Sequence, residues 1–180
     1  MSDHTPYSHP FRRAALAQRK PTRFDLAPGA AERAAIATDL GLLDLPAVRL
    51  RGEIRPVGRS DFVLEADLEA QVVQACIVTL APVPGLVKER VVRRYLADWQ
   101  APEGEEAEMP EDDTTEPLPE VIDAGAVLTE ALALALPLYP RAEGAVFEGF
   151  VKGAEGSDAL TDEKIKPFSG LADLLKKKPE

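Results

Sequence analysis

The chain has 180 residues, of which 45% are apolar and 29% charged, enough for one globular core, and its sixteen prolines leave room for irregular segments. The single cysteine, Cys76, excludes an internal disulfide, and the paired Cys or His spacings of a structural zinc site are missing. The first twenty residues lack the apolar stretch of a signal peptide. No run approaches the roughly 18 apolar residues of a membrane span, so a cytoplasmic protein is expected.

The net charge of −10 argues against a nucleic-acid partner only until the acids are located. Nine of the 31 lie within residues 101–120, which hold no base. The remaining 22 acids face 21 bases, so outside that segment the chain is close to neutral, at −1.

In chain order, residues 1–21 carry His, Pro, Ser and scattered bases without a sustained apolar period. They predict a mobile arm with one short helical turn near Arg12 to Gln18. Residues 23–26 suit a first strand. Ala31, Ala34, Ala35, Ile36 and Leu40 then favour a helix closed by Gly41.

Between Pro46 and Val73 the apolar period becomes two. Val48, Leu50 and Ile54 alternate with Arg49, Arg51 and Arg55, and Phe62, Leu64, Ala66, Leu68 and Ala70 alternate with Val63, Glu65, Asp67 and Glu69. This is the pattern of an antiparallel hairpin with one wet face. Both apolar sets carry even numbers, so paired residue numbers sum to an even value and the loop holds an odd number of residues. A sum of 120 is expected, with Ile54 opposite Ala66, Leu50 opposite Ala70, Arg55 opposite Glu65 and Arg51 opposite Glu69.

Residues 76–83, CIVTLAPV, ended by Pro82 and Pro84, and residues 86–96 predict two further strands, the second with Val87, Val91 and Tyr95 set against Lys88, Arg90 and Arg94. Leu86, Arg90 and Arg93 would also share a helical face. Residues 101–120, with four prolines and almost no large apolar side chains, predict a disordered acidic loop. Asp123 then caps a helix buried through Leu128, Ala131, Leu132, Ala135 and Leu136 and stopped by Pro137. Residues 151–166 predict a tether, and Ser169 caps a short amphipathic helix bearing Leu171, Leu174 and Leu175. No internal repeat occurs.

No catalytic set emerges from these segments. The only histidines, His4 and His9, fall in the arm, and Cys76 among Ile77, Val78 and Leu80 reads as a small buried hydrophobe. The carboxylates of the hairpin face arginines, and those of the acidic loop lack an apolar pocket to raise a pKa. Neither glycine-rich phosphate motif is present. Two basic clusters remain. Arg49, Arg51, Arg55 and Arg59 lie on the first hairpin strand and its turn, where cross-strand pairing accounts for Arg51 and Arg55 and leaves Arg49 and Arg59 as the weaker phosphate candidates. Lys88, Arg90, Arg93 and Arg94 find an acidic neighbour only in Glu89 and the acidic loop, and form the principal candidate nucleic-acid surface. The acidic loop itself reads as an inert solvated insertion, or as a polyanion that competes with RNA or attracts a basic protein.

The order of these segments resembles the YceD family, the large ribosomal RNA subunit accumulation proteins of bacteria and plastids. The resemblance runs from CIVTLAPV through the strand ending in RRYL and the variable acidic stretch to VIDAGAVLTEALALALPLYPR and KPFSGLADLLKKK, roughly residues 76–178. Its most specific part is Ile122, Asp123 and Glu130, followed by Leu134 to Pro137 with Pro140, which matches the family's I-D-x-x-x-x-x-x-E and L-x-L-P-x-x-P. Pro167, Phe168 and Leu171 match the closing P-F-x-x-L. The resemblance implies a part in the synthesis, processing or stability of large-subunit (23S) ribosomal RNA without enzymatic activity. Some members carry C-x-x-C pairs, which a chain with Cys76 alone cannot form. Helix capping and an ion pair with Arg141 or Arg94 account for Asp123 and Glu130 structurally.

The expectation is therefore an α+β domain over residues 22–150, an antiparallel sheet packed on two or three helices, between the arm (1–21) and a tethered C-terminal helix (151–180). It would bind ribosomal RNA or a ribosome-assembly protein, with no cofactor, metal or membrane. The alternative is an adaptor that holds a basic protein through its acidic loop and C-terminal helix.

Overall fold

The computed structural model describes residues 5–99 and 114–147. Its elements are β1 (Pro10–Arg12), a 3-10 turn (Arg13–Ala15), β2 (Thr22–Leu26), α1 (Ala30–Asp39), β3 (Asp44–Val57), β4 (Asp61–Ala75), β5 (Pro82–Leu96), β6 (Thr115–Pro117), β7 (Val121–Asp123) and α2 (Ala124–Ala135). Five strands form one sheet in the order β2-β3-β4-β5-β6, and β1 pairs with β7 in a small second sheet. The α+β class follows. The main sheet is antiparallel except at β6, which runs parallel to β5.

The hairpin β3–β4 shows how the sequence sets the fold. The even-numbered residues Leu50, Ile54, Leu64, Ala66, Leu68, Ala70 and Val72 are buried, so the parity argument holds. The register sum is 118 and not 120: Ile54 faces Leu64, Leu50 faces Leu68, Gly52 faces Ala66 and Val57 faces Asp61. The loop is thus three residues, opened by Gly58 at φ +62°, a backbone region glycine enters without a Cβ clash. This register sets large apolar side chains opposite each other, Ile54 on Leu64 and Leu50 on Leu68. Gly52 is required where it stands, because a Cβ there would lie 2.2 Å from the Glu65 carbonyl oxygen and 2.5 Å from the Ala66 Cβ.

Residues 76–81 are a turn, not the strand expected for CIVTLAPV; β4 runs on to Ala75, and β5 begins at Pro82. The Cys76 N–H donates to the Ala81 carbonyl and the Leu80 N–H to that of Cys76, closing the turn with Leu80 at φ +61°. The prolines expected to end a strand instead start one. The Arg94 N–H donates to Thr114 and the Leu96 carbonyl accepts from Leu118, so the backbone groups of even-numbered β5 residues point away from β4. The β4–β5 register runs without a shift, so Pro82 and Pro84 lack only N–H groups that would face an open edge.

Helix α1 matches its expectation to within a residue. Glu32 accepts from the Gly29 N–H, and Gly41 at φ +64° follows the helix end. Arg33 ties α1 to the sheet by donating to the Leu45 and Pro28 carbonyls at 3.1 and 2.9 Å. Helix α2 begins at the expected N-cap Asp123 and stops before Pro137. Its Leu128 and Leu132 are fully buried and join Ile36 of α1, Phe24 and Leu26 of β2 and the even face of β4 in one core. Truncating either leucine to alanine would cost about 2–5 kcal/mol.

Within the stretch expected as a mobile arm, β1 pairs antiparallel with β7, Leu16 is buried in the core, and Phe11 stacks 5.8 Å from Phe24. Gly125 makes this close approach possible, since a Cβ on it would lie 2.7 Å from backbone atoms of Tyr7 and His9. The compact unit containing all these elements ends at Ala145. Most of the acidic loop, the tether and the C-terminal helix expected from the sequence lie outside the described residues.

Candidate nucleic-acid interface

The two helices and β1–β7 pack on the even face of β4; among the described residues no element covers its odd face. Parity and register assign the side chains of that open face. They are Arg23 and Asp25 from β2; Arg49, Arg51, Glu53 and Arg55 from β3; Glu65, Asp67 and Glu69 from β4; and Lys88, Arg90 and Arg94 from β5. Seven bases meet five acids, a surplus of two positive charges on a chain whose total is −10. The charges are ordered in rows, with the acids of β4 between the bases of β3 and those of β5.

Nearly every base in these rows has an acid beside it. Arg55 reaches Glu65 diagonally, at 2.6 Å, because the register of 118 puts Val63 directly opposite it. Arg49 grips Asp25 of β2 with two hydrogen bonds of 2.7 and 2.5 Å. Arg23 lies 3.4 Å from Glu53. From the other side, Lys88 meets Glu69 at 3.1 Å, and Arg90 spans Asp67 at 3.0 Å and Glu65 at 2.9 Å. Two of these carboxylates are held below their ordinary pKa: Glu65 chiefly by its hydrogen bond from Arg55, aided by Arg90, and Asp25 chiefly by Arg49. Arg51 and Arg59 make no ion pair with the described residues; Arg51 faces Asp67, and Arg59 is exposed in the hairpin turn.

The principal cluster is therefore divided between two faces. Lys88, Arg90 and Arg94 point outward, while Arg93 has the parity of Val87, Val91 and Tyr95 and points to the helices. Its side chain is only 14% exposed, with Nη2 2.6 Å from Glu130 on α2 and Nε 3.1 Å from Glu116 on β6. Glu130 is thus paired with Arg93, not with the expected Arg141 or Arg94. β4 is a central strand with two neighbours, so its acids serve the bases of β5 as well as those of β3. The signal for Arg93 was available: an odd residue among the odd-numbered core positions of β5 belongs to the core side.

The remaining chemistry-bearing residues are occupied structurally. Asp123 accepts from the N–H groups of Gly125 and Ala126 at 2.8 and 3.2 Å, from the His9 N–H at 2.7 Å and from the Ser8 hydroxyl at 2.6 Å. Burial would raise its pKa, but these four donors together bring it below the ordinary carboxylate value. Cys76 is fully buried, as expected, and its sulfur accepts from the N–H groups of Val78, Thr79 and Ala142 at 3.3–3.5 Å. These donors, Ala142 first, pull the thiol down to about 6 against the opposing effect of burial. Among the described residues no group of three His, Cys, Asp or Glu side chains gathers to hold a metal. An open depression of about 600 Å³ lies on the charged face between Arg23, Arg51 and Arg90. It offers paired charges, not an apolar cleft in which a carboxylic acid would be tuned for proton transfer. Among the described residues no helix is long and apolar enough to cross a membrane.

Comparison with known proteins fits the segment order. Neither the curated proteins nor the solved structures yield a match. The family model described as large ribosomal RNA subunit accumulation protein YceD matches residues 64–175, from β4 through α2 and beyond. That span is well over half of the chain and takes in both the Asp123–Glu130 block and the closing P-F-x-x-L. The chain belongs to the YceD family, whose description ties it to accumulation of the large ribosomal RNA subunit.

Proposed function

We propose that this protein is an accessory factor for large-subunit (23S) ribosomal RNA accumulation in the cytoplasm, and that it acts by binding RNA through the open face of its main sheet, not by catalysis. The observation that carries the reading is the convergence of Arg49, Arg51, Arg55, Lys88, Arg90 and Arg94 from two separate strands on the face of the main sheet that no helix among the described residues covers. Their ion pairs do not disqualify them. Exposed pairs of this kind are worth only about 0–1 kcal/mol, so a phosphate can take over a guanidinium at little cost, while unpaired Arg51 and Arg59 are available from the outset. Arg93 is removed from the candidate set, since its charge is engaged by Glu116 and Glu130 on the other side of the sheet.

Depletion of the protein should lower the ratio of large to small ribosomal RNA, and re-expression should restore it. A variant carrying Arg51→Glu, Arg59→Glu and Arg90→Glu should fail to restore the ratio and should lose salt-sensitive binding to ribosomal RNA in vitro. An unchanged ratio on depletion would overturn the pathway; full binding by the triple variant would overturn the surface. The second reading, an adaptor for a basic ribosomal or assembly protein, draws support from the acids of β4 and from the nine acids of residues 101–120. It prevails if the purified chain binds no RNA yet retains a basic ribosomal protein in a salt-sensitive complex.

A further inference from the structure

Strand β5 has fifteen residues, but β6 covers its outer edge only at Arg94–Leu96. Because the even-numbered backbone groups of β5 face that edge, Leu86, Lys88, Arg90 and Val92 each direct an N–H and a C=O away from β4, and among the described residues no strand receives them. Such a row is a template for one more strand. Pro82 and Pro84 close it at one end by removing donors, and β6 closes it at the other. The seven residues from Leu86 to Val92, roughly 23 Å at the rise of a strand, remain open among the described residues.

The two flanks of this edge differ. On the open-face side stand Lys88 and Arg90. On the helix side a groove of about 450 Å³ runs between β5 and α2, lined by Glu89, Val91, Arg93, Ala131, Leu134 and Ala135, and Leu134 is 75% exposed. Side chains of an added strand alternate between these flanks. We propose that residues 86–92 of β5 dock an extended segment of a protein partner whose side chains alternate between apolar, directed into the α2 groove, and acidic, directed at Lys88 and Arg90. The short β6 sets the precedent for an added strand, since it already pairs with this edge at Arg94–Leu96. A second copy of the chain is disfavoured. Two β5 edges paired antiparallel about Glu89 would place Lys88 opposite Arg90 of the other copy, base against base. The site does not depend on RNA binding at the open face.

The test uses the full chain, isotope-labelled, and a seven-residue capped peptide of alternating valine and glutamate. In the free protein the amides of Leu86, Lys88, Arg90 and Val92 should exchange with solvent rapidly, and the peptide should protect those four selectively. Val92→Pro removes one edge donor without touching the β4 ladder and should weaken binding by about tenfold; Leu86→Pro, next to the native prolines, serves the same purpose if the first variant unfolds. A peptide with lysine in place of glutamate should bind at least tenfold more weakly. The proposal is overturned if the four amides are already protected in the free monomer, if they are protected only through self-association, if the lysine peptide binds equally, or if both proline variants fold and bind as the parent does.

Discussion

Arg93 of β5 and Glu130 of α2, 37 positions apart, meet at 2.6 Å between Nη2 and Oε1, and this contact fastens the helix to the sheet. The guanidinium is largely enclosed, and Glu116 contacts it from a third element, so one cation joins β5, β6 and α2. Arg93→Ala should destabilise the chain by about 2 kcal/mol. That is less than the 3–5 kcal/mol of a fully buried pair, because both carboxylates remain half exposed and can rehydrate. Arg93→Met, which keeps the packing of the aliphatic stem, should recover part of the loss. Urea unfolding of the two variants checks the order; equal stability of Arg93→Ala and the parent would remove the joint from consideration.

Glu116 in the same cluster is on the unfavourable side of its environment. Burial raises its pKa above the ordinary 4.5, Arg93 lowers it in part, and the neighbouring Glu130 raises it again. A carboxyl whose folded pKa is raised binds its proton more tightly in the folded state. Its contribution is therefore most favourable below the unfolded pKa and is lost as pH rises through the folded one. Glu116→Gln imitates the protonated form, so parent and variant should have similar stability near pH 4, and the variant should become the more stable of the two at neutral pH. Paired denaturation curves at both pH values decide this, and a gap that closes or reverses sign would contradict it.

Much of this architecture was legible because local rules agreed with the fold. Even-numbered apolar residues gave the buried face of β3 and β4, Asp123 marked the start of α2, and Pro137 its end. What escaped depended on partners distant in sequence. Parity does not separate a register sum of 118 from 120; that depends on whether the turn is centred on Arg59 or on Ser60. Proline reads as a strand breaker unless the strand is known to lie at an edge, which is why Pro82 and Pro84 misled. The basic cluster at residues 88–94 looked unpartnered because its acids, Glu65, Asp67 and Glu69, lay on a strand already assigned to another neighbour.

Cys76 combines complete burial with a thiol pulled down to about 6 by N–H donors from Ala142, Thr79 and Val78 and by the Thr79 hydroxyl. For a group whose folded pKa is depressed below its ordinary 9.0, the stabilisation is complete above the unfolded value and is lost as pH falls through the folded one. The parent should gain stability over Cys76→Ala between about pH 6 and 9. Burial sets the other half of the expectation. Iodoacetamide should label the native chain slowly at any pH in this range and quickly in denaturant, since the sulfur is reached only when the 76–81 turn opens. Rapid labelling of the native chain would refute the enclosure, and a flat stability difference across the range would refute the shift.

Asp123 makes the strongest case for a residue whose conspicuousness is structural. Its carboxylate starts α2 through Gly125 and Ala126 and holds the N-terminal segment through Ser8 and the His9 N–H, so one side chain secures two otherwise separate pieces of chain. Asp123→Ala should cost about 2 kcal/mol, the upper range for an N-cap, because the lost cap is accompanied by the release of β1. Asp123→Asn keeps an acceptor for the helix but offers only one oxygen to four donors, and should fall between. The pH dependence has the opposite sign to that of Glu116: the folded pKa lies below the ordinary 3.8, so the stabilisation is complete above that value and drains away as pH falls through the folded one. The advantage of the parent over Asp123→Asn should therefore be constant from neutral pH to about pH 5 and shrink below about pH 4. Amide exchange adds a readout that helix stability alone would not move. Asp123→Ala should raise exchange at the amides of Phe11 and Arg13, which face β7, more than at Leu132, deep in α2. Uniform acceleration across both elements would mean that the carboxylate caps the helix without anchoring the N-terminal segment.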